Sequence, residues 1–209
     1  WRVIYENCDR LAIFNDEAAS AAGKAYLYLG RAPARTDADL SFLGEAADDQ
    51  FGVSAAMGGD FNGDGFGDVI VGARFNDRAG KDTGSVFVYF GGPSPGAPGG
   101  MDAQPDLVLT GQFQDDWFGT SVDFAGDVNG DGFDDIVVGA PFNDDHGSAV
   151  GKGYLFYGGA TPDAVPDVFL FGDLQNDGQF GWTVSRAGDV NADGFGDVVV
   201  GARLFGTGP

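Results

Sequence analysis

The sequence predicts an all-β fold built from repeated units of four antiparallel strands, and three observations carry that expectation. The segments DFNGDGFGD (60–68), DVNGDGFDD (127–135) and DVNADGFGD (189–197) recur at nearly even spacing along the chain. Self-similarity of that kind marks a repeat architecture. Each segment leads into a β-branched run, VIVGAR (69–74), IVVGAP (136–141) or VVVGAR (198–203), and no ten-residue stretch shows the helical period. The 37 glycines follow no collagen-like register, and 43% of residues are hydrophobic. That composition reads as tight turns between short strands, not as disorder.

The strands of a unit follow in a constant order. Phe51-Gly52, Phe118-Gly119 and Phe180-Gly181 each stand nine positions, counted from the phenylalanine, before the aspartate that opens the acidic loop. The intervening residues form strand one, and the β-branched run after the loop forms strand two. A polar loop, FNDRAGKDTG (75–84) or FNDDHGSAVG (142–151), leads to an aromatic strand three, SVFVYFGG (85–92) or KGYLFYGG (152–159). A Pro-Asp step then opens strand four, PDLVLTG (105–111) or PDVFLFG (166–172). Gly, Asn and Asp bound every run, as turn chemistry requires. One insertion, GGPSPGAPGG (91–100), accounts for most of the small difference between the first and second spacings.

The ends read as partial units. FNDEAASAAGKAYLYLG (14–30) and ADLSFLGEAADDQFG (38–52) match 142–158 and 105–119, whereas WRVIYENCDRLAI does not resemble a strand-two run. The expected division is a partial unit over 1–50 (strands two to four, its N-terminal part diverged), full units over 51–117 and 118–179, and a partial unit over 180–209 that holds two strands and a loop. Together these make about three units. The complementary ends allow two arrangements: a piece of a longer chain, or self-association in which copies complete each other's units.

The net charge of −21, from 32 acidic against 11 basic residues, argues against nucleic acid and anionic membranes as partners, since both need cationic side chains. It favours divalent cations or a solubilising acidic surface. Cys8 is the single cysteine, so no intrachain disulfide forms. No apolar run approaches the length needed for a membrane-spanning helix, so membrane insertion is not expected.

The acidic loops carry the chemistry. Calcium takes six to eight hard oxygen ligands. In the first loop Asp60, Asn62, Asp64 and Asp68 place side-chain oxygens at positions 1, 3, 5 and 9, and the Phe66 carbonyl at position 7 can turn inward. The same pattern recurs in Asp127, Asn129, Asp131, Phe133 and Asp135, and in Asp189, Asn191, Asp193, Phe195 and Asp197. Asn-Gly hairpins with solvated acids are the plainer alternative. Three aspartates at positions 1, 5 and 9 would repel one another without a cation, so three Ca²⁺ sites are expected. An EF-hand is excluded, because position 12 is Val71, Val138 or Val200 within a β-run and not a glutamate.

The combination of Phe-Gly, the D-x-N-x-D-G-F-x-D loop and GAR or GAP at 72–74, 139–141 and 201–203 resembles the FG-GAP repeats of integrin α-subunit β-propellers and their bacterial relatives, over residues 14–205. The resemblance implies that each unit is a propeller blade, with the calcium loop joining the two innermost strands. It also implies FG and GAP at the seams between blades, and a non-enzymatic, extracellular or cell-surface scaffold for binding or adhesion. The ligand, protein or glycan, is unspecified. Seven blades close an integrin propeller, and this chain holds about three. The competing readings are a structural subunit of a surface layer or filament, or an accessory propeller of a polysaccharide-active enzyme.

Other features carry weaker chemistry. Phe-Asn-Asp at 14–16, 75–77 and 142–144 reads as an Asx turn in preference to a second metal site. Asp48-Asp49 and Asp115-Asp116 recur, which favours solvated turns over an acid–base pair. Trp117 and Trp182, beside FG positions, read as packing residues. His146 has no counterpart base in the other copies, and Gly92-Pro93-Ser94-Pro95-Gly96 reads as a flexible loop, not a nucleophile elbow.

Overall fold

The computed structural model describes residues 2–3, 20–30, 36–93, 100–173 and 177–204. The Phe14-Asn15-Asp16 copy, Cys8 and the Ser94 loop lie outside these. Among the described residues there are thirteen strands and no helix, so none is long and apolar enough to cross a membrane.

The strands form four antiparallel sheets met in chain order. The first holds β1 (Arg2–Val3), β2 (Lys24–Tyr28) and β3 (Leu40–Leu43). The second is β4 (Phe51–Met57), β5 (Val69–Ala73), β6 (Ser85–Tyr89) and β7 (Leu107–Thr110), paired in that order. The third repeats it with β8 (Ser121–Gly126), β9 (Asp135–Ala140), β10 (Lys152–Phe156) and β11 (Val168–Leu170). The fourth holds β12 (Phe180–Gly188) and β13 (Asp197–Ala202). Consecutive pairing of four strands, repeated from sheet to sheet, is the blade of a β-propeller. No ladder joins the last sheet to the first among the described residues.

The core lies between blades, which explains why strands two and three are apolar on both faces. In β5, Val69, Val71 and Ala73 join a cluster with Ala25, Leu27 and Phe42 of the first blade. Ile70, on the opposite face, joins Phe118, Val122 and Ile136 of the third. The same alternation divides β6, with Phe87 and Tyr89 facing back and Val86 and Val88 facing forward. A sheet sandwiched between two others loses the apolar–polar alternation of a half-exposed strand.

The FG and GAP residues are the seam itself. A Cβ on Gly72 would lie 2.1 Å from the carbonyl oxygen of Gly119, and one on Gly139 would lie 1.9 Å from that of Gly181. Only glycine allows backbones to approach so closely. Ser54 and Ser121 donate to the same two carbonyls, at 2.8 and 3.0 Å. Phe118 is fully buried, with its N–H on the Thr83 carbonyl of the preceding blade (3.0 Å) and its ring against Tyr154 of its own. Phe51 and Phe180 make the matching backbone bonds to Ala22 and Val150.

Candidate metal centre

The acidic loops connect strands one and two, β4 to β5, β8 to β9 and β12 to β13. Each turns on hydrogen bonds from its own amides to its own carboxylates. In the first, Asp60 Oδ1 accepts the Asp64 N–H (3.0 Å) and Oδ2 the Gly65 N–H (2.9 Å). Asn62 Oδ1 accepts the Asp64 N–H (3.1 Å), and Asp64 Oδ1 accepts the Phe66 N–H (2.9 Å). The second loop repeats this with Asp127 accepting from Asp131 and Gly132, Asn129 from Asp131, and Asp131 from Phe133. The third does so with Asp189, Asn191 and Asp193. Positions 1, 3 and 5 are thus brought together in all three loops.

Position 9 is held separately, at the root of the loop. Asp68 is fully buried; one oxygen accepts the Phe61 N–H (2.8 Å) and the other the Gly91 N–H (2.7 Å). Asp135 is equally buried and accepts from Val128 and Gly158, both at 2.8 Å. Asp197 accepts the Val190 N–H at 2.7 Å. Burial pushes the carboxyls of Asp68 and Asp135 up to about 6, and the charges at positions 1 and 5 of their own loops push in the same direction against the N–H bonds.

Among the described residues, no three acidic, histidine or cysteine side chains are drawn together tightly enough to form a finished cation cage. The donor set nevertheless fits a hard divalent cation. It consists of carboxylate and amide oxygens without nitrogen or sulfur ligands, and in the first two loops its ninth position is a buried carboxylate whose neighbours repel it. The rings of the position-7 residues make contacts that their sequence pattern does not disclose. The Phe133 ring covers Gly63 of the preceding loop, and the Phe195 ring covers Gly130. Phe66 lines a cavity with Leu27, Met57 and Met101.

The opposite ends of the strands carry a second set of contacts. Asn76 makes the Asx turn expected of Phe-Asn-Asp, accepting the Arg78 N–H at 3.2 Å. It also donates to Asp49 across the seam (2.8 Å), and Asn143 donates to Asp116 (2.7 Å). The paired aspartates therefore divide. Asp48 and Asp115 are exposed, as a solvated turn requires, but Asp49 and Asp116 are buried. The two partners are present or absent together along the sequence, since the third copy lacks both and has Gly178 and Phe205 in their places.

Trp117 packs between Phe75 (4.9 Å) and Phe142 (4.1 Å), and Arg203 lies over Trp182 (4.2 Å). His146 stacks edge-on against Phe171 (4.5 Å). Lys152, buried in β10, reaches Asp145 (2.6 Å) and Gln112 (3.2 Å) and lies over Phe169.

The FG-GAP repeat matches residues 51–89, 118–156 and 180–209, just over half of the chain. The chain belongs to the FG-GAP repeat family. Each matched FG-GAP stretch begins at the seam phenylalanine and takes in the acidic loop. The chain is similar to integrin alpha-5 of Xenopus laevis, 33% identical over 173 residues, covering 78% of this chain and 15% of that protein. It is likewise similar to integrin alpha-7 of Mus musculus, 37% identical over 166 residues, covering 78% of this chain and 13% of the other. A third relative is integrin alpha pat-2 of Caenorhabditis elegans, 37% identical over 172 residues, with 76% and 13% covered. The chain therefore spans about one seventh of the length of the curated relatives it matches.

Proposed function

We propose that this chain is a calcium-stabilised segment of an extracellular or cell-surface β-propeller that serves as a binding or adhesion scaffold without catalytic activity. The observation that carries the calcium reading is the set of three loops with the same hard-oxygen donors, each closed by a carboxylate at the root of strand two. Asp60, Asn62, Asp64 and Asp68 would supply side-chain oxygens and Phe66 its carbonyl. The corresponding donors are Asp127, Asn129, Asp131, Asp135 and Phe133 in the second loop, and Asp189, Asn191, Asp193, Asp197 and Phe195 in the third. A bound calcium ion supplies the positive charge that lets these carboxylates lie close together. Its binding free energy then becomes folding free energy.

In this reading the chain divides into blades over 51–117 and 118–179, flanked by partial blades over 1–50 and 180–209. The similarity to integrin alpha subunits supports the surface location and the adhesion role, with a protein or glycan ligand. The internal repetition of the polar residues supports a scaffold, because a catalytic centre needs a unique convergence of groups. Thermal unfolding with excess calcium and after exhaustive chelation tests the reading. Chelation is expected to lower the midpoint by roughly 10 °C or more, since about 3 kcal/mol or more is at stake with calcium far above its dissociation constant. An unchanged midpoint would refute the calcium assignment.

A further inference from the structure

The acidic loops of adjacent blades grip one another. Asp134, at position 8 of the second loop, donates its N–H to the Asp60 carbonyl (3.2 Å), and its carboxylate accepts the Asp60 N–H (2.9 Å). The first residue of the first loop is therefore clamped at both backbone polar groups by one residue of the next blade. Asp134 stands between Phe133 and Asp135, which the calcium reading makes the seventh and ninth donors of the second loop. The Phe133 ring adds to the clamp, lying so close to Gly63 that a Cβ there would come within 2.2 Å of it.

The second and third loops are joined more thinly. The Gly196 N–H donates to the Asp127 carbonyl (2.6 Å) and the Phe195 ring covers Gly130. Position 8 is glycine there, as it is at Gly67 in the first loop, so that position offers no side-chain acceptor to the Asp127 N–H. Asp134 is the single acid at position 8 among the three loops, and no metal role falls to it.

We propose that Asp134 is a positioning residue that couples the first and second loops, so that calcium in one raises the affinity of the other. The proposal rests on the calcium reading above. When the donors at 133 and 135 are engaged, residue 134 loses its freedom, and the backbone of Asp60 is already held in place. The first loop then has less conformational entropy to lose on binding. Linkage makes the effect reciprocal. The second and third loops, with half of the clamp, couple more weakly.

Calcium titration of the whole nitrogen-15-labelled chain by NMR reads each loop through its own position-6 amide, Gly65, Gly132 or Gly194. Asp134→Gly installs the residue that the other two loops carry, so the fold tolerates it. It is expected to move the Gly65 midpoint to about tenfold higher calcium, the scale of losing one charge-assisted hydrogen bond, and to leave the Gly194 midpoint in place. Asp134→Asn keeps an oxygen acceptor without the charge and is expected to restore most of the affinity. An unmoved Gly65 midpoint in Asp134→Gly overturns the coupling while leaving the calcium sites standing. Equal weakening by Asn and Gly also overturns it, because net charge alone then accounts for the effect. If none of the three amides responds to calcium in the native sequence, the calcium reading itself fails.

Discussion

Replacing Gly139 by alanine adds one methyl group at the seam between the third and fourth blades, where the added carbon would sit 1.9 Å from the Gly181 carbonyl oxygen. Ordinary van der Waals contact begins at 3.4 Å, so the two backbones would have to part by well over an ångström. The obstacle is main chain, and no rotamer change relieves it. A radial gap of about 0.5–1 Å already forfeits a quarter to a half of a van der Waals well. The seam that must open includes Ala125, Val137, Leu155 and Val184. Overpacking typically costs about 1–3 kcal/mol, and the rigid obstacle places Gly139→Ala at the top of that range or above. Gly159 is the internal control. An added carbon there would meet nothing within 4 Å. Thermal melts in saturating calcium are expected to show a loss of roughly 6–12 °C for Gly139→Ala and at most a third of that for Gly159→Ala. Equal, small losses in both variants would refute the argument that FG and GAP work through backbone approach.

Two further outcomes follow from the same geometry. Asp64→Ala removes a position-5 carboxylate and the acceptor of the Phe66 N–H; it should reproduce part of the chelation loss, read as a lower midpoint in calcium and a smaller further drop on chelation. Asp116 is buried and hydrogen-bonded to Asn143, with Asp144, Asp145 and Lys152 facing it, and its carboxyl is pushed up to about 6, chiefly by burial. Its folded pKa lies above the unfolded value, so the native state holds the proton longer and the group costs stability as pH rises from about 4 to about 6. Asp116→Asn keeps an acceptor for Asn143. It should flatten that part of the profile and gain about 1–3 kcal/mol above pH 6, measured by urea unfolding at fixed calcium; a profile parallel to the native one would count against the buried assignment.

Much of this protein is local in origin, and the local part was legible along the chain. Alternating glycine and aspartate set the turn of each loop, the β-branched runs set strand two, and repetition at nearly even spacing set the four-strand order. Those features depend on near neighbours in sequence. Asp49 and Asp116 were expected in solvent but are buried, because their partners Asn76 and Asn143 come from another blade, 27 residues away in each case. The reach of Lys152 to Gln112 and the grip of Asp134 on Asp60 arise from parts of the chain still further apart, 40 and 74 residues respectively. A sequence read alone therefore determined the unit: its strands, its oxygen-rich loop and the glycines at its edges. Only the tertiary structure decided how one unit lies on the next, because seam contacts join residues far apart along the chain, and their burial depends on a surface contributed by a different blade.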